Sequence, residues 1–220
     1  MHAAVFIVGI GLLAIAAVAT WWREPLVRAR RLLRRAPEKR LGALVDGERA
    51  RVRGHAVAPR EGALVAPFTG RACIAYRFVG EEHLGRQWHP VVQGEACVPF
   101  ELAVDGLVAR IEGTYLLGLE TDARGGDDEA PSPRVIEAWA ALKVPLRDAE
   151  GVERRLRFRE AVLADGDPIW VLGRASVAID ASGQPDAPRG PPIRRVIIGS
   201  EGAPTVVADE HGQGELLPFE

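Results

Sequence analysis

From Ala3 to Trp22 the chain carries no charged side chain, and residues 23–40 then carry eight basic ones. No other feature constrains the chain as much. A bilayer's hydrocarbon core needs about 20 apolar helical residues to cross it. The run AAVFIVGIGLLAIAAVATWW has that length and ends on Trp21-Trp22, a pair suited to the headgroup layer. Arg23, Arg28, Arg30, Arg31, Arg34, Arg35, Lys39 and Arg40 follow, opposed only by Glu24 and Glu38. Segments rich in Arg and Lys stay on the cytoplasmic side. The expectation is a single-pass transmembrane signal-anchor over residues 1–22, a basic connector over 23–44, and a body in the cytoplasm at a bacterial inner membrane. A cleaved signal peptide is the alternative, because Ala17-Val18-Ala19 offers small residues at cleavage spacing. Such a peptide needs its basic segment before the apolar run, whereas here it follows.

The body differs in charge from what precedes it. Residues 23–40 sum to +6 and the whole chain to −2, which leaves −8 for residues 41–220. An acidic body speaks against nucleic acid as a partner, since that ligand demands a basic face. It leaves the bilayer itself and another membrane or membrane-proximal protein as the expected partners. Cys73 and Cys97 are the only cysteines, too few for a disulfide framework or a four-thiolate zinc site.

From Arg49 onward the apolar period is two, as in strands with one wet face. Ala50, Val52 and Ala56 alternate with Arg51, Arg53 and His55; Ile74, Tyr76 and Phe78 with Cys73, Ala75 and Arg77; Phe100, Leu102 and Val104 with Glu101, Ala103 and Asp105; Leu156 and Phe158 with Arg155, Arg157 and Arg159. Asp105-Gly106 reads as a tight hairpin turn into Leu107–Ile111. Ile169–Leu172 is a continuous apolar run, which predicts a strand covered on both faces. Ala175–Ile179 and Val196–Ile198 close the series. One segment departs from it: Ser132-Pro133 is an N-cap followed by proline at the first helical position, and Val135, Trp139 and Leu142 share a helical face. The predicted fold is mainly β (α+β): the N-terminal transmembrane helix, then one β-rich barrel- or sandwich-like domain over 45–198 with a single short helix near 133–142, and a tail over 199–220.

Candidate chemistry is sparse. His55, His83 and His89 fit no zinc spacing, and the glycine-flanked Glu81-Glu82 and Asp127-Asp128-Glu129 read as solvated charge. Gly125-Gly126 lacks the Lys-Ser/Thr tail of a phosphate loop. No catalytic, cofactor-binding or metal site is assigned, and no cofactor is expected. The least implausible reactive set is Cys97 with His89 and Glu95, if folding brings them together. For docking a partner, Trp88, Trp170 and the Phe68–Arg71 turn are the residues to examine, since aromatic and arginine side chains concentrate binding energy. Lipid sensing would use Arg30, Arg31, Arg34 and Arg35.

Two stretches are more particular. Pro67, Gly70, Cys73 and Tyr76 form a Pro-x-x-Gly-x-x-Cys-x-x-Tyr pattern. Glu160, Leu163, Gly166-Asp167 and Ile169-Trp170-Val171-Leu172-Gly173 form a second. In this order they resemble the GIDE-type or "beside a membrane" domain, found in mitochondrial and chloroplast ubiquitin ligases and in bacterial proteins, over roughly Val45 to Ile198. In the ligases, transfer activity belongs to a separate RING domain that needs about eight Cys/His ligands, which this chain does not have. Those ligases also place the domain between two spans, away from the cytosol, whereas the flanking charges here place it inside. The resemblance therefore implies a non-catalytic binding or scaffold module at a membrane. The alternatives are a ligase-related protein lacking its RING, or an enzyme whose site is assembled from distant residues.

Overall fold

The computed structural model describes residues 25–60, 62–126, 130–179, 193–199 and 203–210. In chain order these form helix α1 (Pro25–Arg35), a 3-10 turn (Leu41–Ala43), and strands β1 (Arg49–Val57), β2 (Leu64–Val65), β3 (Ala72–Cys73), β4 (Ala75–Leu84), β5 (Gln87–Cys97), β6 (Phe100–Val104), β7 (Leu107–Gly113), β8 (Tyr115–Gly118) and β9 (Ala123–Gly125). Helix α2 (Pro133–Ala141) and strands β10 (Leu156–Leu163), β11 (Pro168–Ile179), β12 (Ile193–Gly199) and β13 (Thr205–Asp209) follow.

The expected transmembrane helix is corrected: among the described residues no helix is long and apolar enough to cross a membrane. The longer helix, α1, has 11 residues and carries Arg28, Arg30, Arg31, Arg34 and Arg35. At about 1.5 Å per residue it reaches only about half the ~30 Å hydrocarbon thickness. The apolar stretch 3–22 on which that expectation rested lies outside the described residues.

Alternation in β1 sends Ala50, Val52 and Ala56 inward and leaves Arg49, Arg53 and His55 exposed. β1 pairs with β6 along one part and with β11 along another, β6 with β7, β7 in parallel with β12, and β12 with β11. The ring β1-β6-β7-β12-β11 thus closes on itself, the connectivity of a five-stranded Greek-key barrel of the OB type. β8 and β13 continue it as a parallel pair beside β11. The β6–β7 turn is the one expected, with Asp105 at φ 48° and Gly106 at φ 77°, the left-handed pair of a type I′ hairpin. The barrel interior is filled by Val52, Phe100, Leu102, Ile111, Leu117, Ile169, Val171 and their neighbours.

The apolar run Ile169–Leu172 is covered on both faces. Ile169 and Val171 point into the barrel, while Trp170 and Leu172 pack beneath α1. Most of the segment expected as a connector is therefore part of the folded body. Ala29 and Leu33 are buried against Leu116, Leu172, Val206 and Ala208, Arg30 pairs with Glu120, and Arg51 donates from Nη1 to the Leu33 carbonyl at 3.1 Å. That last bond gives a carbonyl at the helix C-terminus a second donor beside Ala36 N, where intrahelical partners run out. Gly118 permits the approach, because a Cβ there would stand 2.6 Å from Ala29 Cβ. Gly118→Val should push α1 off the barrel, costing about 1–3 kcal/mol, and free its backbone for a protease. Trypsin should then cut between Arg28 and Arg35 far sooner than in the parent protein, and an unchanged cleavage rate would refute this packing role.

A second sheet, β5-β4-β10-β9, grows from two long excursions of the barrel. β4 and β5 come from the β1–β6 connection; β9, α2 and β10 come from the β8–β11 connection. The helix was expected, and Ser132 Oγ caps it by accepting from Val135 N at 3.4 Å. Helix α2 lies over one face of this sheet, where Trp139, Phe68, Phe78, Phe158 and Leu156 form a separate core.

Candidate functional site: an arginine-lined sheet face

Residues on β10 alternate between that core and the opposite face. Leu156, Phe158 and Glu160 are buried on the helix side, which sends Arg157 and Arg159 to the other, and Arg155 just before the strand continues the alternation. Cross-strand partners share a face. Register therefore adds Glu81, Val79 and Arg77 of β4, Arg124 of β9, and Gln93 and Glu95 of β5. The open face thus presents five arginines against two carboxylates on a body whose net charge is negative.

Its centre is organised around Glu81, which is only 6% exposed. Arg157 Nε donates to one carboxylate oxygen at 2.7 Å and Arg159 Nη2 to the other at 2.9 Å. Glu81 was expected to be solvated charge. The β4 strand runs through it to Leu84, and two guanidiniums replace the water it would otherwise hold. Arg157 also lies 4.1 Å from the Trp88 ring centre, with His83 at that ring's edge at 5.0 Å. A cleft of about 410 Å³ runs beside these groups, lined by Arg77, Arg159, Glu81, Pro90, Gln93 and, from α1, Leu26. Arginine is charged at any physiological pH and offers planar, paired donors suited to carboxylate or phosphate. The arginines can hold an anion but have no proton to exchange.

The larger cavity, about 540 Å³, lies beside β1 and holds Lys39, Arg53, His55, Asp105 and Glu210 among its lining. Its charges are of both signs, and Arg53 pairs with Glu210, so nothing there converges on one ligand.

The reactive set weighed from the sequence is not brought together. His89 and Cys97 lie eight residues apart on β5, about 27 Å at strand rise, and His89 stands opposite Glu82 while Cys97 stands opposite Ala75. Burial, with Cys73 and Glu95 nearby, pushes the Cys97 thiol up to about 12. Cys73 is also raised, first by burial and then by Glu160. Burial of both disfavours the thiolate, the form that attacks. In the native protein both thiols should resist iodoacetamide at pH 8 and react once the chain is unfolded in guanidinium. Native labelling of Cys97 at the rate of a free thiol would reopen the catalytic reading. Among the described residues no cluster of His, Cys, Asp and Glu could hold a metal ion.

The docking candidates divide. Trp88 belongs to the arginine-lined face. Trp170 packs under α1 with the Arg51 guanidinium 4.9 Å from its ring. Phe68 is 2% exposed and stacks on Phe158 at 4.5 Å, and Arg71 pairs with Asp122 at 2.6 Å. Of the lipid-sensing arginines, Arg34 and Arg35 are exposed, but Arg30 is tied to Glu120. Reversing the charge on all four would therefore disturb the fold as well as any lipid contact. The sequence signal for the face itself was the alternation of Arg155, Arg157 and Arg159, which by itself says only that one side of a strand is wet. No family model, no curated protein and no solved structure matches the chain.

Proposed function

We propose that this chain is a non-catalytic binding module at a membrane that engages an anionic partner through the arginine-lined face of its second sheet. The supporting observation is the concentration there of Arg77, Arg124, Arg155, Arg157 and Arg159 around Glu81 and Glu95, on a body that is otherwise acidic. Membrane-proximal localisation belongs to the proposal and rests on the composition of residues 3–22 and the arginines after them. A place among GIDE-type domains belongs to it too. In its support, the two stretches that carry that resemblance are direct neighbours, since Glu160 accepts hydrogen bonds from the backbone N–H groups of Phe68 and Thr69.

The test uses the full chain and inositol hexakisphosphate as a soluble polyanion. Calorimetric titration should show saturable binding that weakens with salt. An Arg124→Glu/Arg155→Glu protein should bind about tenfold or more weakly, since each charge-assisted hydrogen bond contributes about 1.5–3 kcal/mol and about 1.4 kcal/mol is tenfold. Both side chains are exposed, so the melting temperature should barely move. Unchanged affinity in the double variant would sink the proposal.

A further inference from the structure

We infer that the anionic partner of this face is the phosphate layer of a bilayer. This inference rests on the binding-module reading above and deepens it. The lining of the cleft beside the arginines includes Leu26, in the first turn of α1. The charge-free stretch Ala3–Trp22 ends three residues before that turn begins at Pro25. Twenty apolar residues partition to lipid far more readily than to water, and three residues span at most about 11 Å, so lipid that takes up this stretch comes near the first turn of α1. Because α1 is packed onto the barrel through Ala29 and Leu33, the face cannot swing away on a free tether.

The face also has the chemistry of a headgroup contact. Successive arginines on β10 are about 6.7 Å apart along the strand, and neighbouring strands add others about 4.8 Å to the side, a two-dimensional array beside the cleft. Such an array can meet several phosphates of a headgroup layer at once. Arginine holds phosphate by two parallel donors, and basic residues near an anionic leaflet are attracted within about a Debye length. Trp88, half-buried and stacked on Arg157, is the residue type that settles at the headgroup level. An acidic protein segment would satisfy the same charges, but the position of Leu26 favours lipid.

The experiment places a nitroxide at Gln93, exposed and lining the cleft, by Gln93→Cys in the full chain; an unsubstituted control gives the background from Cys73, buried, and Cys97, half-buried. The protein is incorporated into nanodiscs of phosphatidylcholine alone or with a third phosphatidylglycerol. Collision with an aqueous nickel chelate should fall about fivefold in the anionic discs, as expected when a face of net charge +3 is held at the lipid most of the time. It should stay high in the neutral discs, and adding Arg124→Glu/Arg155→Glu should restore it. Equal accessibility in the two discs, whether high or low, overturns the inference. If inositol hexakisphosphate still binds in an arginine-dependent way, the binding module survives and its partner is a soluble or protein anion. If that binding is absent as well, both readings fall.

Discussion

Glu160→Ala should destabilise the protein by about 3–5 kcal/mol, because it strips the acceptors from two backbone N–H groups and leaves them without a partner. Glu160 is fully buried, and backbone N–H groups hold its carboxylate. Oε1 accepts from Phe68 N at 2.9 Å and Oε2 from Thr69 N at 2.9 Å. The turn so held carries Phe68 into the second core, where it stacks on Phe158 and meets Trp139 edge-on at 4.8 Å. Losing the carboxylate frees the turn as well as leaving polar atoms dry. Thermal unfolding should fall by about 6–15 °C. Glu160→Gln keeps the shape and one good acceptor, and should lose roughly half as much free energy. Equal losses for Ala and Gln would show that charge, not acceptor geometry, matters there. No loss in either would show that the turn holds itself.

The same contact shows what a sequence does and does not display. β1, the Asp105-Gly106 turn and the Ser132 cap announce themselves because each is decided within a few residues, by alternation, left-handed backbone or a capping oxygen. The second sheet is decided by pairings between β4 and β10, whose registered partners such as Phe78 and Glu160 lie far apart in the chain, and no local pattern carries that information. β5 carries no regular apolar alternation along its length. It holds Pro90, it is largely exposed, and it sits at a sheet edge, where no apolar stripe is needed on its outer side. α1 was legible as a basic connector because arginine dominates it. Its docking depends on one small residue facing another, Ala29 over Gly118. The arginine face falls between these cases: its residues were visible as an alternation, but its concentration of charge required β9, β4 and β10 to be laid side by side.

Trp139→Ala should cost about 3–5 kcal/mol, the range for emptying a large buried aromatic site, and its effect should concentrate in the second sheet. Trp139 is 1% exposed and belongs to the cluster beneath α2, not to the barrel core. Hydrogen exchange should therefore rise in β4, β5 and α2 well before it rises in β1 or β6. β10 couples the two regions. Phe158 and Leu156 serve the second core, Ala161 and Leu163 the barrel, and Arg157 and Arg159 the open face. Trp139→Ala should accordingly weaken polyanion binding along with stability, whereas Arg124→Glu/Arg155→Glu should weaken binding alone. A second substitution makes the packing claim sharper. A Cβ on Gly80 would stand 2.5 Å from Trp139 Cζ3 and 2.7 Å from Val92 Cγ1, so Gly80→Ala alone should cost about 1–3 kcal/mol by overpacking. In the Trp139→Ala background the new methyl meets a cavity where the indole stood, and only the Val92 contact still resists it. The two losses should then fall short of additivity by about 1 kcal/mol. Strict additivity in that cycle would mean that the Trp139 ring does not rest on Gly80, and that α2 packs against the sheet by some other contact.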